Sequence, residues 1–558
     1  EQLDVLTEAD VVVVGAGAAG LAAAVEAARQ APKARTLLVS AGPPGHSGCS
    51  PMVQGMNAAV SVADSPHAHF EDIVRRGCFL NDQRLAWTVA HEAPGVVAEL
   101  GEVLGCEFAR QADGSYDQLA FGMQTHPRKL HKGYDTGREI LDGLLRAARE
   151  RGVSMLTPAR GVDVAFDDDG RVAGLVVLDP GQRVIHLVAA PAVVVATGGA
   201  PNVFERTSAG RGKTGDGIAL CARAGAECRD MEMVQYLSVG LLDPALEAGE
   251  PLPLLEESLR FAGGRLVNGD GDRFLTGIAP EAMEGTDLET VVRACWTEVA
   301  EGRGSPAGGV YLDLRHLEAA GLARGFTIPM ERVHRAGWDP AVDLLEISPV
   351  AHYQVGGVLV DDEGRTTVSG LFAAGEDAGG VHGAAWTGGN GIAEALVLGA
   401  RAGLAAADLA STRRPGAVRS ERPETNRWVV DDPLALLRGL RRMMWEMAGP
   451  VRTERGLREA RLHLGNLGAR IPPPETPIAE PTSSESLDLR NLFLNSLLLV
   501  ESALARPDSL GVHWRADSVP SDPVEGLEHS IVRLAQGEVA SQMRPVRFEI
   551  LEPTPSPS

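Results

Sequence analysis

The chain has 558 residues, 44% of them hydrophobic and only 4% aromatic, with 65 glycines, a make-up suited to an Ala/Gly/Val-rich α/β enzyme of several units. Its 75 acidic against 52 basic side chains leave a formal charge of -23, which disfavours nucleic acid and anionic lipid as partners. Six cysteines without C-x-x-C spacing argue against a zinc ribbon, a disulfide framework or an iron–sulfur cluster ligated by this chain, and no metal site is expected.

"ADVVVVGAGAAGLAAAVEAARQAPKARTLLVSAGPP" predicts a strand, a glycine turn, a helix and a second strand ending near Ser40. Gly15, Gly17 and Gly20 make G-x-G-x-x-G at the first turn, with Ala18 opening the helix. Missing side chains there admit a pyrophosphate to the backbone and to the positive helix end. Ser40 stands where an acidic residue usually holds the adenosine ribose. FAD and NADP both fit this unit, although no arginine flanks Ser40 to take a 2′-phosphate.

"AAPAVVVATGGAPNVF" repeats the strand and glycine turn at 189–204, and "TTVSGLFAAGEDAGGVHGAAWTGGNG" does so at 366–391. Three converging glycine turns predict an α/β, Rossmann-like nucleotide-binding domain over 1–233 and 346–411, interrupted by a capping domain over 234–345. Beyond 411, helical periodicity in "DPLALLRGLRRMMWEMAGPVRTERGLREARLHLGNLGARI" and "LDLRNLFLNSLLLVESALAR" predicts a helical bundle over 425–536, followed by a tail over 537–558 with a disordered "LEPTPSPS". No apolar run reaches the roughly 18 residues of a membrane span. "EQLDVLTEAD" lacks the basic and apolar stretches of a signal peptide, so a cytoplasmic protein is expected.

These segments carry a resemblance. "GAGAAGLAAA", "QGMNAAV", "DTGREIL", "VVVATGGA", "KTGDGIALCARAGAECRDMEMVQY", "NGDGDRF", "AHYQVGGVLVDDEGRTTVSGLFAAGE" and "HGAAWTGGNGIAEALVLG" follow the order and spacing of one superfamily. It contains the fumarate reductase and succinate dehydrogenase flavoprotein subunits and L-aspartate oxidase. The resemblance implies FAD, an inserted α+β capping domain and a C-terminal helical domain. It further implies that Gly15, Gly17 and Gly20 hold the pyrophosphate and Thr197, Gly198 and Gly199 the adenosine, with Asp216 and Glu376 near the ribityl chain and ribose. Gln54, Asn57, Thr136, Asn390, Gly391 and Ile392 would lie by the flavin ring. Succinate dehydrogenases attach FAD through a histidine just before the glutamine-glycine segment. Here Cys49 stands at about that offset, with His46 three residues earlier, so noncovalent FAD is expected, a cysteinyl or shifted histidyl link being the alternative.

The chain departs from the family where dicarboxylates are held. "HGAAW" replaces "HGANR", "YLSVG" replaces "FHPTG" and "LETVVRA" replaces R-D-x-V-x-R-A, putting Trp386, Leu237 and Leu288 at family positions of cationic side chains. A substrate pocket lined by Trp386, Leu237, Leu288 and Tyr236 is expected to be more apolar, and its substrate to be other than succinate, fumarate or aspartate. His352 and Tyr353 in "AHYQVGG", with Glu257 and Arg260 in "LLEESLRFAGG", are the expected catalytic groups. The function this implies is an FAD-dependent dehydrogenase, oxidase or desaturase moving hydride between a small organic substrate and flavin N5. The alternatives are a flavoprotein passing electrons to an iron–sulfur partner and a non-catalytic flavin-binding protein.

Overall fold

The computed structural model describes residues 5–120, 124–181, 184–247, 249–418, 430–478, 482–518 and 526–553. At its centre is a five-stranded parallel sheet in the order Leu371–Ala373, Ala192–Val195, Val11–Val14, Thr36–Val39, Ser154–Leu156. The three middle strands are buried at every position, so they read as unbroken Val and Leu runs without alternation.

On one face the helix Ala18–Gln30 lies along the helix Asn390–Thr412 with backbones touching. A Cβ at Gly399 would come within 2.4 Å of Ala19 O, and one at Gly403 within 2.1 Å of Ala23 O. The alanine and glycine of the composition serve this contact. Against the other face rests a four-stranded sheet in the order Val5–Glu8, Val184–Ala189, Val172–Asp179, Arg160–Phe166, sharing its core with the central sheet.

The insertion is an α+β unit. Strands Val234–Leu241, Leu345–Gln354, Val310–Asp313 and Arg265–Val267 pair antiparallel, and the helices Leu288–Ala300 and Thr327–Arg335 close a separate core around Val239, Val291, Cys295 and Leu345. Leu345–Gln354 is one continuous strand, so the expected limit at 345/346 falls inside it. Its first half pairs with the cap's Val310–Leu312, and its second half delivers His352, Tyr353 and Gln354 to the junction with the domain of the central sheet.

The helices Pro433–Ala448, Glu454–Gly468 and Ser484–Ala505 pack around Met444, Leu457, Leu464 and Leu499 as the C-terminal helical domain. The tail expected from 537 is corrected. Strands Glu528–Ala535 and Glu538–Pro545 form a hairpin turning at Gln536 (φ 53°) and Gly537 (φ 82°), a pair suited to a two-residue turn. That hairpin pairs with Cys228–Arg229 and extends the sheet containing Gly357–Leu359. Leu551 then bonds through its backbone to Gln83, and the rest of the expected disordered segment, 554–558, lies outside the described residues. Among the described residues no helix is long and apolar enough to cross a membrane.

Candidate active site

The first glycine turn is built for close approach. Gly15 has φ +104° and an added Cβ would meet Ala196 O at 2.1 Å; at Gly20 it would meet Gly15 O at 1.8 Å. The helix Ala18–Gln30 starts at Gly17 with no side-chain cap and no acid in its first turn, and Ala18 N–H donates to Ser50 Oγ at 3.2 Å. A diphosphate suits such a helix end. Ser40 donates its hydroxyl to Gly42 O at 2.8 Å, which leaves it an acceptor towards a ribose.

The second and third glycine turns lock together. Thr197 Oγ1 donates to Asp377 at 3.1 Å and accepts Gly217 N–H at 2.7 Å, while Gly198 N–H donates to Asp377 at 2.7 Å. Burial pushes Asp377 up to about 7 against these bonds. Gly199 leaves room for Glu376, whose Oε1 would lie 2.6 Å from a Cβ there. Glu376 accepts Gln354 N–H at 2.9 Å and pairs with the buried Lys213 ammonium. Asp216, beside Gly217 and so next to the second glycine turn, is already engaged by side chains. Its carboxylate is bound by Arg160 through two 2.7 Å hydrogen bonds, by Thr214 and by Asn491 at 2.8 Å, so it fastens the helical domain to the sheet. Burial opposes that charge, but Arg160 overrides it and holds the carboxyl below its ordinary value.

At the expected flavin end, Thr136 Oγ1 donates to Gln54 O at 3.1 Å, and Gln54 Nε2 reaches Glu256 at 3.4 Å. Asn57 Nδ2 donates to Gly388 O at 2.9 Å and to Asn390 Oδ1 at 2.8 Å, and His69 Nε2 lies 3.0 Å from the same Oδ1. Asn57 Oδ1, Asn390 Nδ2, His69 Nδ1 and Trp386 Nε1 are buried without a hydrogen-bond partner. Such orphaned atoms call for a ligand or water. They surround the start of the helix Asn390–Thr412, whose N-cap Gly389 (φ +91°) offers no side-chain cap. Gly391 and the buried Ile392 form its first turn. Free donors and acceptors by a positive helix end suit the polar edge of an isoalloxazine, so these residues fit FAD.

Trp386 sits beside this edge. Its indole stacks on Tyr353 with centroids 5.3 Å apart and planes at 20°, and lies 5.4 Å from the His352 ring. A Cβ at Gly391 would be 3.0 Å from Tyr353 Cε2 and 3.1 Å from Trp386 Nε1. Ser208 Oγ holds His352 Nδ1 at 2.9 Å. Burial first, and the Lys213 charge second, push His352 down to about 3, so its imidazole is neutral. Tyr353 donates to the buried Glu394 at 2.6 Å, and His382 Nε2 lies 2.9 Å from the same oxygen.

The other expected residues divide between two faces. Leu237 pairs with Val350, and the sheet register then skips His352 between Ala351 and Tyr353, a bulge at the histidine. Tyr236 points the opposite way, with its ring 5.6 Å from Phe204 and 6.2 Å from Trp445, and is corrected to a core residue against the helical domain. Leu288 is corrected likewise: it opens the helix Leu288–Ala300 and packs at the rim of that same core. Glu257 accepts Ser238 N–H at 2.6 Å, Ser238 Oγ–H at 2.8 Å and Arg260 Nε–H at 2.7 Å, and Arg260 also donates to Glu284 O. This pair is hydrogen-bonded within the cap, to Ser238 beside Leu237 and to Glu284.

The sequence reading missed Lys213, Glu394, His382, Gln235 and Glu256. Lys213 and Glu394 lie inside the matching segments "KTGDG" and "GIAEAL", where a charged residue in a glycine turn or beside buried alanines was the available signal.

Comparison with known proteins agrees with this architecture. A family described as "FAD binding domain" matches residues 10–392, and one described as "Fumarate reductase flavoprotein C-term" matches 437–557. One chain of the fumarate reductase (CoM/CoB) of Methanothermobacter marburgensis is 35% identical over 93% of this chain and 96% of its own. The L-aspartate oxidase of Streptomyces coelicolor is 34% identical over 94% and 91%. A variant of E. coli quinol fumarate reductase superposes with a TM-score of 0.87 at 30% identity, covering 98% of both chains. The chain is an FAD-dependent oxidoreductase and belongs to the superfamily of fumarate reductase and succinate dehydrogenase flavoproteins and L-aspartate oxidases.

Proposed function

We propose that this enzyme exchanges hydride with a small organic substrate that lacks the paired carboxylates of succinate, fumarate or aspartate. The observation that carries the reading is the Trp386 indole, stacked on Tyr353 and set against His352. FAD, held noncovalently by the glycine turns and the Asn57–Asn390 edge, supplies the hydride acceptor or donor. The protein supplies shape, a dry wall and neutral donors.

Electrostatics support the same substrate class. His352 is neutral at physiological pH and offers Nε2 to a carbonyl or a departing proton, while Ser208 holds Nδ1. The cations Lys213 and Arg76 are already matched, Lys213 by Glu376 and Arg76 by Glu289. A second carboxylate entering here finds no unclaimed positive charge among these groups. Tyr353, hydrogen-bonded to Glu394, is held as a neutral phenol by burial and by that acid, and serves as a rigid wall.

An anaerobic screen for bleaching of the flavin band tests the reading. Amines and cyclic or aromatic acids are expected to reduce the flavin, whereas succinate and aspartate are not. Bleaching by succinate or aspartate ahead of every other compound overturns it. Trp386→Arg is the sharper test: a guanidinium here adds about two charge-assisted hydrogen bonds to a carboxylate, roughly 1.5–3 kcal/mol each. Succinate affinity should therefore rise at least a hundredfold, and an unchanged substrate profile counts against the pocket. A matching Leu288→Arg would add nothing, because that side chain faces the helical domain.

A second reading keeps this chemistry but passes electrons to a partner such as an iron–sulfur protein. It is supported by the similarity to a fumarate reductase subunit over 93% of this chain. Rapid peroxide release on aerobic reoxidation favours a self-contained oxidase; slow reoxidation with fast donation to an artificial acceptor favours the partnered form.

A further inference from the structure

Trp386 is held by its backbone as well as its ring. The Trp386 N–H donates to Gln235 Oε1 at 3.0 Å. Gln235 is 1% exposed and sits opposite Tyr353 in the sheet register, so it lies beside that residue on the neighbouring strand. Its amide group is oriented without ambiguity: Oε1 takes the Trp386 N–H, while Nε2 donates to Tyr236 O at 3.1 Å and to Glu289 Oε1 at 2.9 Å.

Glu289 belongs to the capping domain. It lies in the first turn of the helix Leu288–Ala300, where a negative charge is favoured, behind the N-cap Asp287. Its other partner, Arg76, ends the helix Pro66–Arg76 of the FAD domain and binds it through both nitrogens, at 3.0 and 2.5 Å. Both side chains are 10% exposed. Burial pushes the Glu289 carboxyl up, but Arg76 and Gln235 together hold it below its ordinary value. One buried chain of hydrogen bonds thus joins the FAD domain, the capping helix and the loop that carries the indole.

We propose that Gln235, Glu289 and Arg76 form a positioning relay that fixes Trp386 only while the capping helix is seated on the FAD domain. Seating the cap and setting the pocket wall are then one event. Withdrawal of the cap parts Glu289 from Arg76, so the acceptor that orients the Gln235 amide loses its fixed position. The relay rests on the reading of Trp386 as pocket wall for its meaning, but its existence is tested without any substrate.

The test uses FAD-loaded protein containing 5-fluorotryptophan, with Trp386→Phe assigning the 19F line, and hydrogen exchange of the Trp386 amide as a second readout. Glu289→Gln and Gln235→Glu are each expected to split or broaden that line and to raise amide exchange about tenfold, the loss of roughly one hydrogen bond. Combining the two restores both bonds, because the carboxylate placed at 235 accepts from Trp386 and from the amide placed at 289; the line should return towards wild type. Should the singles not fold, Arg76→Lys keeps the charge but loses the two-nitrogen grip, and the line should still move. An unmoved line in these variants, or a double variant no nearer wild type than its parents, overturns the relay. A relay that passes while the substrate screen fails leaves Trp386 positioned but removes it from the pocket.

Discussion

Replacing His352 with glutamine is expected to flatten part of the acid limb of the stability profile. His352 is half-buried and desolvation pushes it down to about 3, while burial pushes His69 down to about 4. In the unfolded chain both titrate near 6.5. Between that value and the folded ones, the unfolded chain binds protons that the folded chain refuses, so stability is lost as pH falls from 6.5. The slope is about 1.36 kcal/mol per pH unit for each histidine, or about 2 kcal/mol apiece at pH 5 relative to pH 8. Asp377 runs the other way. Its folded value near 7 lies above the ordinary carboxylate range, so the folded chain takes up a proton first and gains stability as pH falls through 7. The difference between wild type and His352→Gln cancels the contributions of Asp377 and His69. Urea unfolding of the FAD-loaded protein at pH 8, 6.5 and 5 should show the two ΔG values converging by about 2 kcal/mol on acidification. Parallel profiles would mean that folded His352 accepts a proton, and a cationic imidazole beside Trp386 would remove the electrostatic case for a substrate without paired carboxylates.

Three further outcomes are expected. Gly20→Ala places a Cβ 1.8 Å from Gly15 O, so the helix must back away from the turn; stability should fall by about 1–3 kcal/mol, and the flavin-to-protein ratio after gel filtration should drop sharply. Tyr353→Phe removes one of the two partners of Glu394 and should cost about 1–3 kcal/mol in urea unfolding. Combined with Glu394→Gln it should cost less than the sum of the singles, because the two residues share one hydrogen bond. Lys213→Met strands the buried Glu376 carboxylate at a cost of about 3–5 kcal/mol, and Lys213→Met with Glu376→Gln should recover much of it.

The glycine turns were readable because their constraint is local. Gly15 needs a positive φ and Gly20 a missing Cβ, and both needs show in a stretch of six residues between a valine strand and an alanine helix. The hairpin at 528–545 had an equally local signal in Gln536–Gly537, overlooked because its first strand was absorbed into the helical region. The relay had none: Gln235 lies 151 residues from Trp386, and Arg76 lies 213 from Glu289. Nothing in "MEMVQYLS" separates a glutamine that orients a distant amide from one on a solvated strand.

Leu288 and Tyr236 show where alignment by position stops being an argument about side chains. Tyr236 turns away from its neighbours Gln235 and Leu237 into the core against the helical domain, since successive residues of a strand point to opposite faces; Leu288, at the first turn of a helix, packs at the rim of the same core. With Leu288 packed against the helical domain, the family's cationic positions still open to the site are 386 and 237. Two neutral replacements would leave a dicarboxylate site only weakened if a free cation stood nearby. Here Lys213 and Arg76 are consumed by Glu376 and Glu289, and His352 is kept neutral by its own burial. In the proposed reading, a second carboxylate is disfavoured by this pairwise cancellation of the remaining charge as much as by the absence of arginine, and cancellation is a property of packed neighbours that a sequence motif does not carry.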